Sequence, residues 1–262
     1  MSVLSEFISA CHDNIFDNSK GSKNALEYLL SRNITEESIR YHRIGYRYNN
    51  TDLPYGIRKY GKNEESTCDY SFFINGKVIV PVYTEFGSPV GLASRTPSHD
   101  KGNKWWNLPK PFHKGNHLYL LDKSRKHIFD NDKVYIVEGY IDAILLYQNG
   151  LKNVCALMGT ALTNRKIGLI ARYTNNICLC LDEDENESGQ KARDTSVISL
   201  NRFAFCNDIS VIDGLSKGED PADYISKYSL EDFLATERTL KHSEILKVVQ
   251  NAKYREKKRA NK

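Results

Sequence analysis

Four short apolar runs, at 134–137, 153–157, 177–181 and 209–212, recur through the second half of this chain, with helix-like stretches between them. Runs this short and this apolar suit strands buried on both faces. Their alternation with helices implies a parallel sheet with helices packed on it. The intervening signals agree. Ile141, Ile144, Leu145 and Gln148 fall at helical spacing and stop at Asn149-Gly150, a helix C-terminal signal. A second helix runs through Ile167 and Ile170, and a third from about Gln190 to Arg202. The second half is therefore expected to be an α/β fold.

Three of the runs lead into acid. Val134–Val137 meets Glu138, the run ending at Leu181 meets Asp182-Glu183-Asp184, and Ile209–Ile212 is followed by Glu219-Asp220-Pro221-Ala222-Asp223. A carboxylate at the carboxyl end of a parallel strand points into the crevice where open α/β sheets bind ligands. Several together make an all-oxygen donor set, which suits a hard cation such as Mg²⁺. Asp182 and Asp184 are the expected metal ligands, and Asp220 completes the site unless it serves only as a turn residue before Pro221. Glu185 and Glu187 fit a solvated acidic loop. Asp142, one helical turn beyond Glu138, either faces the same cleft or is an exposed first-turn aspartate. Gly159-Thr160, following a strand, either brings backbone amides to a phosphate or makes a plain turn.

The first half reads differently. Residues 24–44 suggest a helical hairpin with Thr35 capping its second helix. Residues 49–71 are polar and loop-like. Phe72–Tyr83 alternates around Asn75-Gly76, a hairpin signal, and 78–83 and 90–95 form strands joined at Phe86-Gly87-Ser88. Arg95, Lys104 and Lys114 lie in a stretch rich in glycine, proline and aromatic residues and suit a triphosphate or template phosphate, against a plain surface role. Trp105 and Trp106 can stack on bases, with at least one expected in the core. His113 is expected to be structural or near phosphate.

Composition excludes little: 40% hydrophobic and 27% charged residues are ordinary for a globular protein. No run approaches a membrane span, and Met1–Phe7 lacks a signal-peptide pattern, so a cytoplasmic location is expected. The six cysteines contain no C-x-x-C pair, so no zinc is expected. Cys178 and Cys180 read as buried thiols within a strand. The net charge of +4 is concentrated at the end, where Lys241–Lys262 holds eight basic and two acidic residues. That tail reads either as a nucleic-acid-binding arm or as a solvated terminal helix.

In order, Glu138-Gly139-Tyr140-Ile141-Asp142, Met158–Thr163, Asp182-Glu183-Asp184 and Glu219–Asp223 resemble the TOPRIM motifs of bacterial DnaG-type primases. Upstream, residues 25–46, Arg95, Lys104–Pro109 and Phe112-His113-Lys114-Gly115 resemble the rest of that catalytic core, so the likeness spans about residues 24–235. It implies a TOPRIM domain with a parallel sheet flanked by helices over 132–226. An α+β basic subdomain at 1–131 precedes it, and a helical basic segment at 227–262 follows. It further implies two or more Mg²⁺ or Mn²⁺ ions, a single-stranded DNA template, ribonucleoside triphosphates and a replicative helicase as partner. Glu138 becomes a metal ligand or general base, Asp223 a further ligand, and Arg95, Lys104, Lys114, Gly159 and Thr160 handle nucleotide or DNA. The expected reaction is RNA primer synthesis; a TOPRIM nuclease or a weakly catalytic primase-like DNA-binding protein are the alternatives.

Two departures qualify the resemblance. Glu185–Ser188 intervenes before Gly189, and Ala222 takes a place usually held by aspartate, with Asp223 beside it. The zinc-ribbon and helicase-binding modules that accompany such cores are not seen, which suggests a phage-like protein.

Overall fold

The computed structural model describes residues 2–48, 71–100, 104–109, 112–159, 161–183, 188–202 and 208–260. Residues 49–70 of the loop expected at 49–71, with Cys206, Thr160 and Asp184–Glu187, lie outside them, and Ser71 begins a helix. The chain divides into two compact units, Met1–Lys114 and Gly115–Lys262.

The first unit opens with α1 (Val3–Asn14), whose cap is Ser2 and whose buried Leu4, Phe7, Ile8 and Cys11 form one apolar stripe. The expected hairpin follows as α2 (Lys20–Ser31) and α3 (Glu36–Tyr41), with the Thr35 side chain accepting from the Ser38 amide. Then come β1 (Gly45–Arg47), the short helix α4 (Ser71–Ile74), β2 (Lys77–Tyr83), β3 (Pro89–Arg95) and β4 (Trp106–Asn107), forming an antiparallel sheet in the order β1-β2-β3-β4. The hairpin through Phe86–Ser88 is present, with Gly87 at φ +86. The one expected at Asn75-Gly76 is not. Residues 71–74 are helical, and β2 finds its second partner in β1, where Gly45 pairs with Ile79. Gly45 also lets α1 lie against β1, because a Cβ there would collide with the Cys11 carbonyl.

A 3₁₀ turn at Lys114–Asn116 leads into α5 (Leu121–Asn131) of the second unit. Its sheet is built from β5 (Val134–Val137), β6 (Val154–Ala156), β7 (Asn176–Leu179), β8 (Asp208–Ile212) and β9 (Glu237–Thr239), in the order β6-β5-β7-β8-β9. The first four are mutually parallel; β9 runs antiparallel to β8. The connecting helices are α6 (Tyr140–Gln148), α7 (Asn164–Ile170) and α8 (Ser188–Asn201). After β8 come α9 (Pro221–Ile225), α10 (Leu230–Ala235), β9 and α11 (His242–Ala260).

Val134, Ile136, Ile177, Leu179, Ile209 and Val211 pack on one side of the sheet with Leu121, Ile128, Ile167, Ile170, Val197 and Leu200 from α5, α7 and α8. Tyr135, Cys178 and Ser210 alternate onto the other side. Helix α6 is buried along nearly its whole length and packs against β6 and α9. Cys178 and Cys180 are buried free thiols, as their alternation in the strand suggests.

Residues 115–131, assigned by sequence to the first subdomain, pack with the second unit. Tyr119 bridges to Ala156, and the Ser124 hydroxyl donates to the Val154 carbonyl at 2.7 Å. The segment 227–262, expected to be helical, contributes β9. Its Glu237 accepts from Lys133 (2.6 Å), Tyr135 (2.8 Å) and Ser210 (2.5 Å), which joins the added strand to the parallel ones. Among the described residues, no helix is long and apolar enough to cross a membrane.

Candidate active site

Glu138 leaves β5 half-buried, and the loops beside it are tied to that strand by backbone hydrogen bonds. Leu157 donates to the Val137 carbonyl at 2.9 Å, Gly159 to Glu138 at 3.2 Å, and Cys180 to Ile136 at 2.8 Å. Gly159 sits at φ +67, and Met158 before it is also left-handed at φ 61, so the strand turns sharply there. Thr160 lies outside the described residues.

The second and third acidic loops are joined to each other. Glu183 and Glu219 form an antiparallel bridge in which the Glu183 amide donates to Glu219 at 3.2 Å and Gly218 donates to Glu183 at 2.5 Å. Neighbouring residues on extended chain point to opposite sides, so this register sets Asp182 and Asp220 side by side on the face away from the two glutamates. The glutamates are held elsewhere. Glu183 accepts from Arg193 Nη2 at 3.3 Å, and Glu219 from Lys227 Nζ at 2.7 Å and the Ser216 amide at 3.0 Å. The hydrogen bond from Lys227 holds the Glu219 carboxyl below its ordinary range.

Asp142 is buried, which resolves its two readings in favour of an inward role. One carboxylate oxygen accepts from the Gly139 amide at the start of α6 (3.0 Å), the other from the Ala222 amide at the start of α9 (3.3 Å). Asp142 thus links the Glu138 loop to the Asp220 loop. Burial, then the charge of Asp220, with a smaller contribution from Glu138, push its pKa up to about 7. These carboxylates share one field. Asp220 caps α9, accepting from the Asp223 amide at 2.7 Å, and Asp223 is half-buried in that helix's first turn.

Strand ends therefore bring Glu138, Asp142, Asp182 and Asp220 to one edge of the sheet. Among the described residues, no three of His, Cys, Asp or Glu converge closely enough to form a ready-made metal cage. Asp184 is outside them. The donor chemistry still fits Mg²⁺, which keeps several waters and takes only one or two carboxylates together with substrate phosphates. The concentrated negative charge at this edge favours a cation as well.

The first unit holds a separate pocket of about 310 Å³, lined by Phe73, Lys77, Arg95, Lys104, Trp105 and Trp106. The Arg95 guanidinium lies 5.8 Å from the Trp105 ring centroid, and the Phe73 and Trp106 rings stack at 4.8 Å and 9°. Both tryptophans are half-buried pocket walls; neither is in the core as expected for one of them, because β4 runs at the open edge of its sheet. Lys114 lies in the 3₁₀ turn, and His113 is exposed. Sequence reasoning passed over Phe73 and Lys77, whose place in the pocket arises from the pairing of β2 with β3. Another cavity, of about 710 Å³, opens at the amino-terminal edge of the second sheet, away from the carboxylates. Three of the charged groups lining it are engaged internally: Lys133 with Glu237, Asp132 with Thr174 and Asn176, and Lys152 with the Tyr147 carbonyl.

Two families match the chain. Residues 11–125 match the DNA primase catalytic core, N-terminal domain, and residues 135–225 match the Toprim-like family. The chain carries the catalytic core of a DnaG-type primase. Among curated proteins, this DnaG-type core is 32% identical over 239 residues to the DNA primase of Staphylococcus epidermidis, covering 85% of the chain and 39% of that protein. It is 33% identical over 227 residues to the DNA primase of Staphylococcus aureus, covering 80% and 37%. The chain thus spans less than two fifths of the length of these relatives. Among solved structures, it is similar to the E. coli primase catalytic core (TM-score 0.74, 25% identity, 93% of this chain and 81% of that one). It is also similar to a DnaG primase catalytic domain bound to single-stranded DNA (TM-score 0.73, 25% identity, 89% and 78%). Toprim primases depend in general on divalent metal.

Proposed function

We propose that the chain synthesises short RNA primers on single-stranded DNA, with Glu138, Asp182, Asp184, Asp220 and Asp223 holding two or more Mg²⁺ or Mn²⁺ ions. The observation that carries this reading is the register between the second and third acidic loops, which sets Asp182 beside Asp220 next to the Glu138 loop. Bound divalent ions supply charge neutralisation for the attacking hydroxyl and the leaving pyrophosphate. Glu138 ends a buried strand beside Gly139 and acts as ligand or general base. Arg95, Lys104 and Lys114 bind phosphates of the triphosphate or template, and Gly159 and Thr160 are further nucleotide-handling positions of the second unit. The aromatic walls beside Arg95 suit base stacking. The DNA-bound structure of a similar primase domain supports single-stranded DNA as the template. A replicative helicase is the proposed partner.

The test is incorporation of labelled ribonucleotides on unprimed single-stranded DNA with Mg²⁺ or Mn²⁺, compared with an Asp182→Ala/Asp184→Ala variant. Short RNA from the unaltered chain alone is the expected result. DNA cleavage in its place identifies a nuclease, and DNA binding without either activity identifies a non-catalytic DNA-binding role.

A further inference from the structure

The Glu183–Glu219 bridge gathers the carboxylates of Asp182, Glu183, Glu219 and Asp220, yet only the two aspartates share the face proposed to hold metal. A glutamate is longer than an aspartate and reaches a nearby cation easily, so its direction has to be fixed. Each glutamate meets its own cation on the far side. Arg193, from the second turn of α8, is 9% exposed and donates to Glu183 Oε1 at 3.3 Å. Lys227, just after α9, meets Glu219 Oε1 at 2.7 Å. The two are unequal, since the Lys227 side chain is 58% exposed and that of Arg193 only 11%.

Arg193 is itself anchored. Its Nη1 lies 4.0 Å from Asp213 Oδ1 at the exit of β8; Asp213 Oδ2 accepts from Arg238 Nε at 2.5 Å, and Arg238 Nη1 donates to Glu244 Oε1 at 3.0 Å in the first turn of α11. A line of alternating charges therefore runs from the middle residue of the second acidic motif to the last helix. A buried guanidinium with two carboxylate neighbours has little freedom to turn, because leaving either one would strand a charge away from water.

We infer that Arg193, with Lys227 as its counterpart, is a positioning residue of the acidic centre: it holds Glu183 on the far side of the bridge and so fixes Asp182 beside Asp220. This rests on the metal reading above. It requires that losing Arg193 free the Glu183 side chain, loosen the bridge and spread the donor set, with no residue that faces the metal altered.

The test uses the whole chain and two measurements, hydrogen exchange of the peptide containing Asp182 and Glu183, and Mn²⁺ binding followed by electron paramagnetic resonance. Arg193→Met is expected to speed exchange in that peptide at least tenfold and to weaken Mn²⁺ binding at least fivefold. Exchange in β5 and β7 should stay unchanged, which separates loosening of the loop from unfolding. Arg193→Lys should recover part of both effects, and adding Glu183→Gln to Arg193→Met should weaken Mn²⁺ binding no further. Unchanged loop exchange in Arg193→Met overturns the assignment, as does unchanged Mn²⁺ binding when Asp182→Ala loses it. Equal Mn²⁺ binding by Asp182→Ala and the unaltered chain overturns the metal reading itself, and the assignment with it.

Discussion

Glu237 shows how much a single carboxylate organises in the second unit. Burial raises its pKa, but hydrogen bonds from Lys133, Ser210 and Tyr135 outweigh that and hold it below its ordinary value of 4.5. Burial, and then the same contact, pushes the Tyr135 phenol up. Because the folded carboxyl is the stronger acid, its stabilisation is complete above pH 4.5 and is lost as pH falls through the depressed folded value. Glu237→Gln is therefore expected to cost about 1–3 kcal/mol at neutral pH. Urea denaturation curves should show the gap from the unaltered chain shrinking as the pH drops below about 4. Among the candidate site residues, Glu138, Asp182 and Asp220 stand out in the sequence because each adjoins an apolar run or a helix-opening proline. The spacing of Asp142 from Glu138 left two readings open, and what decides between them, the Ala222 amide 80 positions away, is invisible to any local pattern. Arg193 was hidden for the same reason: on α8 it looks like any helical cation.

At the level of elements, α11 changes its surroundings along its length. Ile245 and Val248 pack against the core, whereas Lys253, Tyr254 and Lys258 are exposed. Removing residues 252–262 should leave the thermal midpoint within a few degrees. It should raise the dissociation constant for single-stranded DNA and flatten its salt dependence, by about 0.7 in the log–log slope for each phosphate that the shortened chain no longer neutralises. Unchanged binding in a fluorescence-anisotropy titration would remove this helix from the DNA-binding surface. The strands and helices of 134–212 were legible because two periods, one apolar run and one helical stripe, alternate cleanly there. Two elements were not. Phe72-Phe73-Ile74 has strand-like composition but forms a turn of helix, because β1 already occupies the edge of β2 that a hairpin would need. Glu237-Arg238-Thr239 has no apolar alternation at all; it is extended because Ser210–Ile212 presents an unfilled edge.

Taken whole, the chain is two units with separate cores, Met1–Lys114 and Gly115–Lys262. The second has its own sheet, buried on one side by α5, α7 and α8. Residues 115–262 produced alone are expected to unfold in one cooperative thermal transition by circular dichroism; a broad, non-cooperative melt would show that this unit depends on the first. The short strand β9 also has a consequence for solubility. An open strand edge offers unpaired amides and carbonyls to any other chain, which is a common route to aggregation. Here β9 closes one margin of the parallel sheet with three polar residues, and Tyr119 bridges to β6 at the opposite margin. Both flanks of a strongly apolar sheet are thereby blunted, so neither margin of the second unit offers a bare apolar strand to another chain.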